Sequence, residues 1–169
     1  MKKTVLAFAG AIALVAALSG CTNAASIGTD AHPEEMHVDN AWVRVSEFSD
    51  HAGGMTGVFA EIENHTNGDV TLVGGSAEIA GMVEIHEVVM ADGAMAMQKK
   101  DGGIVIKPGE IVALEPGGLH VMLMGLKQPI LEGDEITLTL DFDGAEDMTL
   151  TVPAKASFAG DETYVPEEK

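Results

Sequence analysis

The chain has 169 residues and a formal net charge of −18 at pH 7, with one cysteine and ten methionines. That acidity excludes nucleic acid as a partner on electrostatic grounds, and a lone cysteine excludes an internal disulfide framework and dithiol chemistry. Beyond this, the charge implies only a well-solvated surface.

Residues 1–20 place Lys2 and Lys3 before an apolar run that ends in small residues, the pattern of a secretory signal peptide. Leu18-Ser19-Gly20-Cys21 resembles the bacterial lipobox, whose cysteine sulfur receives diacylglycerol after cleavage. This predicts a lipidated Cys21 and an extracytoplasmic, membrane-anchored protein. The alternatives are an uncleaved membrane helix or cleavage near Ala24-Ala25-Ser26. Residues 21–35 are small and polar, contain Pro33 and lack apolar periodicity, so they read as a flexible linker.

A single domain is expected over residues 36–153, a length able to bury a core. Short β-type runs alternate with turn residues. They are 37–45, 56–64, 70–74, 83–90, 111–114, 120–124, 135–142 and 148–152, separated by turns such as Asn67-Gly68, Asp101-Gly102-Gly103, Pro108-Gly109 and Pro116-Gly117. No long amphipathic helix competes, so the fold class is all-β, a sandwich or barrel. In Ile136-Thr137-Leu138-Thr139-Leu140 and Met148-Thr149-Leu150-Thr151-Val152, apolar residues alternate with threonine, which predicts two half-buried strands paired as a hairpin. Residues 154–169 form an acidic tail with little to bury and are expected to be mobile.

Chemistry enters with histidine and methionine. Thioethers favour Cu(I), imidazole binds copper well, and oxygen-seeking ions have no use for methionine. Strand periodicity puts His120, Met122 and Met124 on one face of 120–124, and His86 with Glu84 and Val88 on one face of 83–90. Met97 follows a turn at Asp92-Gly93 that can return its sulfur toward His86. Periodicity does not by itself bring these segments together. Met55, Met82, Met90, Met95 and Met148 read as flexible core filler. His32, Met36 and His37 make a second, looser set beside Glu34 and Glu35, an auxiliary metal segment or an ordinary polar linker; His51 and His65 receive no role.

Val83-Glu84-Ile85-His86-Glu87, Met97 and Glu115-Pro116-Gly117-Gly118-Leu119-His120-Val121-Met122-Leu123-Met124-Gly125-Leu126 together resemble the PCu(A)C family of extracytoplasmic copper chaperones. The family pattern is a histidine, ten residues, a methionine, about twenty-one residues, then His-x-Met. Here the first interval, Glu87 to Ala96, has ten residues and the second, Gln98 to Leu119, has twenty-two. The turn at Asp101-Gly102-Gly103 is the expected place for the extra residue, and Met124 stands as the alternative to Met122. Ala41-Trp42-Val43-Arg44, Asn64 and Lys127 to Asp134 extend the similarity as structural matches.

The resemblance implies an immunoglobulin/cupredoxin-like antiparallel β-sandwich that holds Cu(I) with His86, Met97, His120 and Met122. It also implies transfer of that ion to an acceptor, a cytochrome c oxidase subunit or an assembly factor. Catalysis is not expected, because no serine or cysteine nucleophile stands in a recognisable setting. An electron-transfer copper site would need a thiolate, and Cys21 is the sole cysteine. A metal-free scaffold or adhesion lipoprotein is the alternative in which the four residues are incidental.

Overall fold

A computed structural model describes residues 35–47, 54–91 and 93–156, together with the backbone of 163–164. The threonine alternation seen in the sequence sets the simplest part of the architecture. β9 (Glu135–Asp143) and β10 (Met148–Lys155) pair antiparallel with Ile136 opposite Val152 and Leu140 opposite Met148. Ile136, Leu138, Leu140 and Val152 are buried, while the intervening threonines face outward. Such one-sided burial is what period-two patterning produces.

The preceding strands are β1 (Met36–Arg44), β2 (Met55–Asn64), β3 (Val70–Ser76), β4 (Met82–Ala91), β5 (Ala94–Lys99), β6 (Ile104–Ile106), β7 (Ile111–Leu114) and β8 (His120–Met124). A short β11 (Thr163–Tyr164) follows β10. The described residues contain no helix. Strand order along the hydrogen-bonded path is β11-β5-β4-β8-β2-β1-β10-β9-β3-β6, with β7 added to β2. The path folds into two layers, an antiparallel β-sandwich of immunoglobulin/cupredoxin type. Its layers meet where β1 runs parallel to β10 through only Val43–Ala154 and Arg44–Lys155. A register shift in β1 between Asp39 and Trp42 precedes this junction, and Asn40 there takes a left-handed φ of 55°. Its amide donates to Glu61 Oε2 at 2.8 Å. A bulge of this kind bends and twists its strand, which lets the end of β1 leave one layer for the other.

Val43, Val58, Ile62, Ile85, Val121 and Leu123 from the first layer close on Val70, Leu72, Ile106, Leu138, Leu140 and Val152 from the second. Three strands escape the sequence pattern. β5 is Ala-Met-Ala-Met-Gln-Lys, poor in β-branched residues, and is a strand because it pairs along β4 from His86–Lys99 to Ala91–Ala94. β6 is only three residues long. The tail expected to be mobile contributes β11, parallel to β5. β10 likewise runs two residues past the expected domain boundary at Pro153.

The methionines also need correction. Met148 packs against the core as expected. Met82, Met90 and Met95, however, are 49%, 70% and 49% exposed, and Met55 is only partly buried. Their strand parity points them away from the core.

Asn64 ends β2 and is fully buried. Its Nδ2 donates to Gly68 O at 2.8 Å and Ile106 O at 2.7 Å, while Oδ1 accepts from Thr66 N at 2.8 Å. One side chain thus closes the β2–β3 turn and ties it to β6. Asn64→Ala takes the amide donor from the buried Ile106 carbonyl and the acceptor from Thr66 N, and is expected to cost about 1–3 kcal/mol in urea unfolding. Loss below 0.5 kcal/mol, on the order of an ordinary surface substitution, would show that the amide is dispensable.

Candidate metal centre

β8 lies between β4 and β2, so its outward residues acquire neighbours on both sides. His120 is opposite His86; Met122 is opposite Glu84 on one side and Gly57 on the other. On the next strand, Met97 of β5 is opposite Val88 of β4. Partners across antiparallel strands share a face. Since Ile85, Val121 and Leu123 enter the core, His86, His120, Met122 and Met97 all belong to the other face. They are nonetheless buried there: His86 is 0% exposed, His120 2%, Met122 3% and Met97 7%.

The imidazole rings of His86 and His120 lie 5.9 Å apart between centroids at 57°. His120 Nε2 sits 3.0 Å from Met97 Sδ, and His120 Nδ1 is 3.1 Å from Gly118 O. A carbonyl only accepts, so Nδ1 carries the proton and the Nε2 lone pair faces the sulfur. This is how an outer hydrogen bond fixes the tautomer of a ligating histidine. A tetrahedral first-row ion with bonds of about 2.0 Å to nitrogen and 2.3 Å to sulfur holds those atoms about 3.5 Å apart. The observed spacing therefore needs only a small opening to admit an ion.

His86 Nε2 is 3.1 Å from Glu84 Oε2, and the other carboxylate oxygen accepts from Lys99 Nζ at 3.0 Å. Burial works against the Glu84 charge, but the hydrogen bonds from Lys99 and His86 outweigh it and hold this carboxyl below its usual range. Glu84 is thus an ionised acceptor, and in neutral His86 with Nε2 as donor the lone pair is on Nδ1. Phe59 forms the wall beside His120, with ring centroids 6.1 Å apart. Trp42 stacks on Phe59 at 4.6 Å, and the Arg44 guanidinium lies over its ring at 5.2 Å.

His86, Met97 and His120 therefore meet, with Met122 one step along β8 and Met124 a further step away on the same face. The amino-terminal set does not converge. Met36 is a core residue at 4% exposure, whereas His37 points to the other face, 3.3 Å from Asp39 and edge-on to His65 at 6.1 Å. Strand alternation separates Met36 from His37. His32 and Cys21 lie outside the described residues. Among the described residues, no three of His, Cys, Asp and Glu cluster as a metal site. Sequence reasoning passed over Glu84, Phe59, Gly57 and Lys99. Glu84 shares the period-two face of His86, a legible signal; Lys99 depends on the β4–β5 register.

The fold is that of PCuAC domains. The solved structures it resembles include "Copper-bound PCuAC domain from PmoF2", with TM-score 0.59 and 20% identity over 73% of this chain and 94% of that one. "Solution structure of CuI-DR1885 from Deinococcus Radiodurans" matches with TM-score 0.55 and 24% identity over 80% and 87% of the two chains. Residues 36–154 match the family model described as "Putative lipoprotein LpqE-like", and the chain belongs to this LpqE-like family. A relative from Leifsonia xyli subsp. xyli, "Putative lipoprotein Lxx21020", is 33% identical over 90% of each chain.

Gly57 keeps the wall in place, because a Cβ there would stand 2.7 Å from Phe59 Cζ. Gly57→Ala is expected to displace the ring and cost about 1–3 kcal/mol in urea unfolding. In a double-mutant cycle, Phe59→Leu should relieve part of that cost. Strict additivity of the two substitutions would show that the ring and the glycine do not interact.

Proposed function

We propose that this protein is an extracytoplasmic copper chaperone that holds one Cu(I) tightly through His86, Met97, His120 and Met122 and passes it to an acceptor protein. The observation that carries this is the approach of His120 Nε2 to Met97 Sδ at 3.0 Å beside the buried His86. Two neutral imidazoles and two thioethers make a soft, uncharged donor set suited to a monovalent d10 ion rather than to Zn(II) or Ca(II). The copper-bound and CuI-labelled names of its structural neighbours support the same ion. Met122 is favoured over Met124 as the fourth donor because it is buried and closer along β8 to the histidine pair.

Copper in this reading is cargo. The chain's single cysteine, Cys21, precedes the domain, so a thiolate electron-transfer centre has no sulfur to use. Thioethers stay neutral across the pH range and release an ion by stepwise ligand exchange without a proton to balance. Membership of a lipoprotein family supports anchoring through Cys21, which would keep the carrier at a membrane surface. The acceptor class, a cytochrome c oxidase subunit or an assembly factor, follows from the PCu(A)C resemblance.

Competition of the mature chain against a chromophoric Cu(I) chelator should reveal one tightly held ion per chain. Removal of an outer partner alone weakens metal sites by about 10–100-fold. His120→Ala and Met97→Leu should therefore weaken binding at least that much, and Met122→Leu more than Met124→Leu. Wild-type affinity in His86→Ala/His120→Ala would overturn the assignment.

A further inference from the structure

The register that pairs the histidines also builds a second row of donors. Met124 of β8 is opposite Met55 of β2 on one side and Met82 of β4 on the other. Three thioethers thus stand side by side on adjacent strands, on the face that carries His86 and His120. Directly opposed residues of neighbouring strands have Cβ atoms about 4.5–5.5 Å apart. The outer two methionines need only lean inward, and an unbranched side chain with three torsions can do so.

Packing does not account for the row. Met82 is 49% exposed, and Met55 and Met124 are partly buried without joining the core. On the opposite face of the same strands, Leu123 is fully buried in that core and Val83 packs against it. The apolar burial of β2, β4 and β8 is therefore met on their other side. Three adjacent methionines on a surface row add oxidisable, apolar area to an otherwise acidic protein. What they share chemically is neutral sulfur. The row also has an internal link to the metal centre: Met122, between His120 and Met124, is 3% exposed and faces Gly57 and Glu84.

We propose that Met55, Met82 and Met124 form a second Cu(I) site, a solvent-accessible three-thioether site of lower affinity than the His/Met centre, with Met122 between the two. Soft neutral donors select Cu(I) and its d10 analogue Ag(I), and give Zn(II) or Mg(II) little to bind. Three thioethers without an imidazole hold the ion more weakly than the mixed set, so an ion arriving here moves on to the histidines by exchange of neutral ligands. This deepens the chaperone reading and rests on it for the biological ion, though the site's chemistry stands alone.

The test is a titration of the mature chain, carrying 13C-methyl methionine, with Ag(I) and then anaerobically with Cu(I), followed by NMR. The first equivalent should shift the Met97 and Met122 methyls; a second, at least tenfold weaker, should shift Met55, Met82 and Met124 together. Met55→Leu/Met82→Leu/Met124→Leu should abolish the second event and keep the first, and the single variant Met82→Leu should weaken it. His86→Ala/His120→Ala should lose the first event and keep the second. Static Met55, Met82 and Met124 methyls through two equivalents would overturn the second site, whatever the first does. So would equal shifts at Met90 and Met95, which mark indiscriminate thioether binding. A second event without a first would instead leave this site standing and remove the chaperone reading.

Discussion

The alternation of β8 between two faces is the constraint on which the molecule depends. Val121 and Leu123 are fixed in the core by burial, so His120, Met122 and Met124 have no choice but the opposite side. A one-residue slip would place two aliphatic side chains outside and an imidazole inside. The hydrophobic effect therefore sets the register, and the register sets how the imidazoles and thioethers meet. Because β8 has neighbours on both sides, Met122 and Met124 also gain two lateral partners and His120 gains His86, which is why His86 and Gly57 matter as much as anything on β8 itself.

The outer face is unusual for an antiparallel sandwich in burying its polar side chains. His86 and His120 are as inaccessible as core leucines, and that is tolerable because each has a defined acceptor, Glu84 for one and the Gly118 carbonyl for the other. These bonds hold the rings before any ion arrives. Phe59, stacked on Trp42 and capped by Arg44, excludes water from one flank. The centre is preorganised by elements that do not donate to a metal.

Much of this was legible in the residues. Threonine alternation in 136–140 and 148–152 announced the β9–β10 hairpin, and the His-x-Met spacing placed an imidazole and a thioether on one face. Spacing was silent on distance. That His120 pairs with His86, rather than with some other strand, follows from the non-local order β4-β8-β2, which no local pattern encodes. β5 was missed because Ala and Met carry no strand signal; its conformation is imposed by β4. Met36, read as an auxiliary ligand or part of a polar linker, lies instead in the core, where its parity in β1 puts it.

The four residues proposed as donors do not sit on equally firm ground. In the proposed set, His86 and His120 ride on β4 and β8, which have strands on both sides, whereas Met97 belongs to β5, which among the described residues has β4 on one side and the two residues of β11 on the other. Peripheral strands open locally at a small fraction of the cost of global unfolding. The Met97 thioether is thus the proposed donor nearest a fraying edge, and Lys99 on the same strand links that edge to His86 through Glu84. For the proposed carrier, this would make the release of an ion depend on how fast one hairpin frays rather than on the opening of the interior strands.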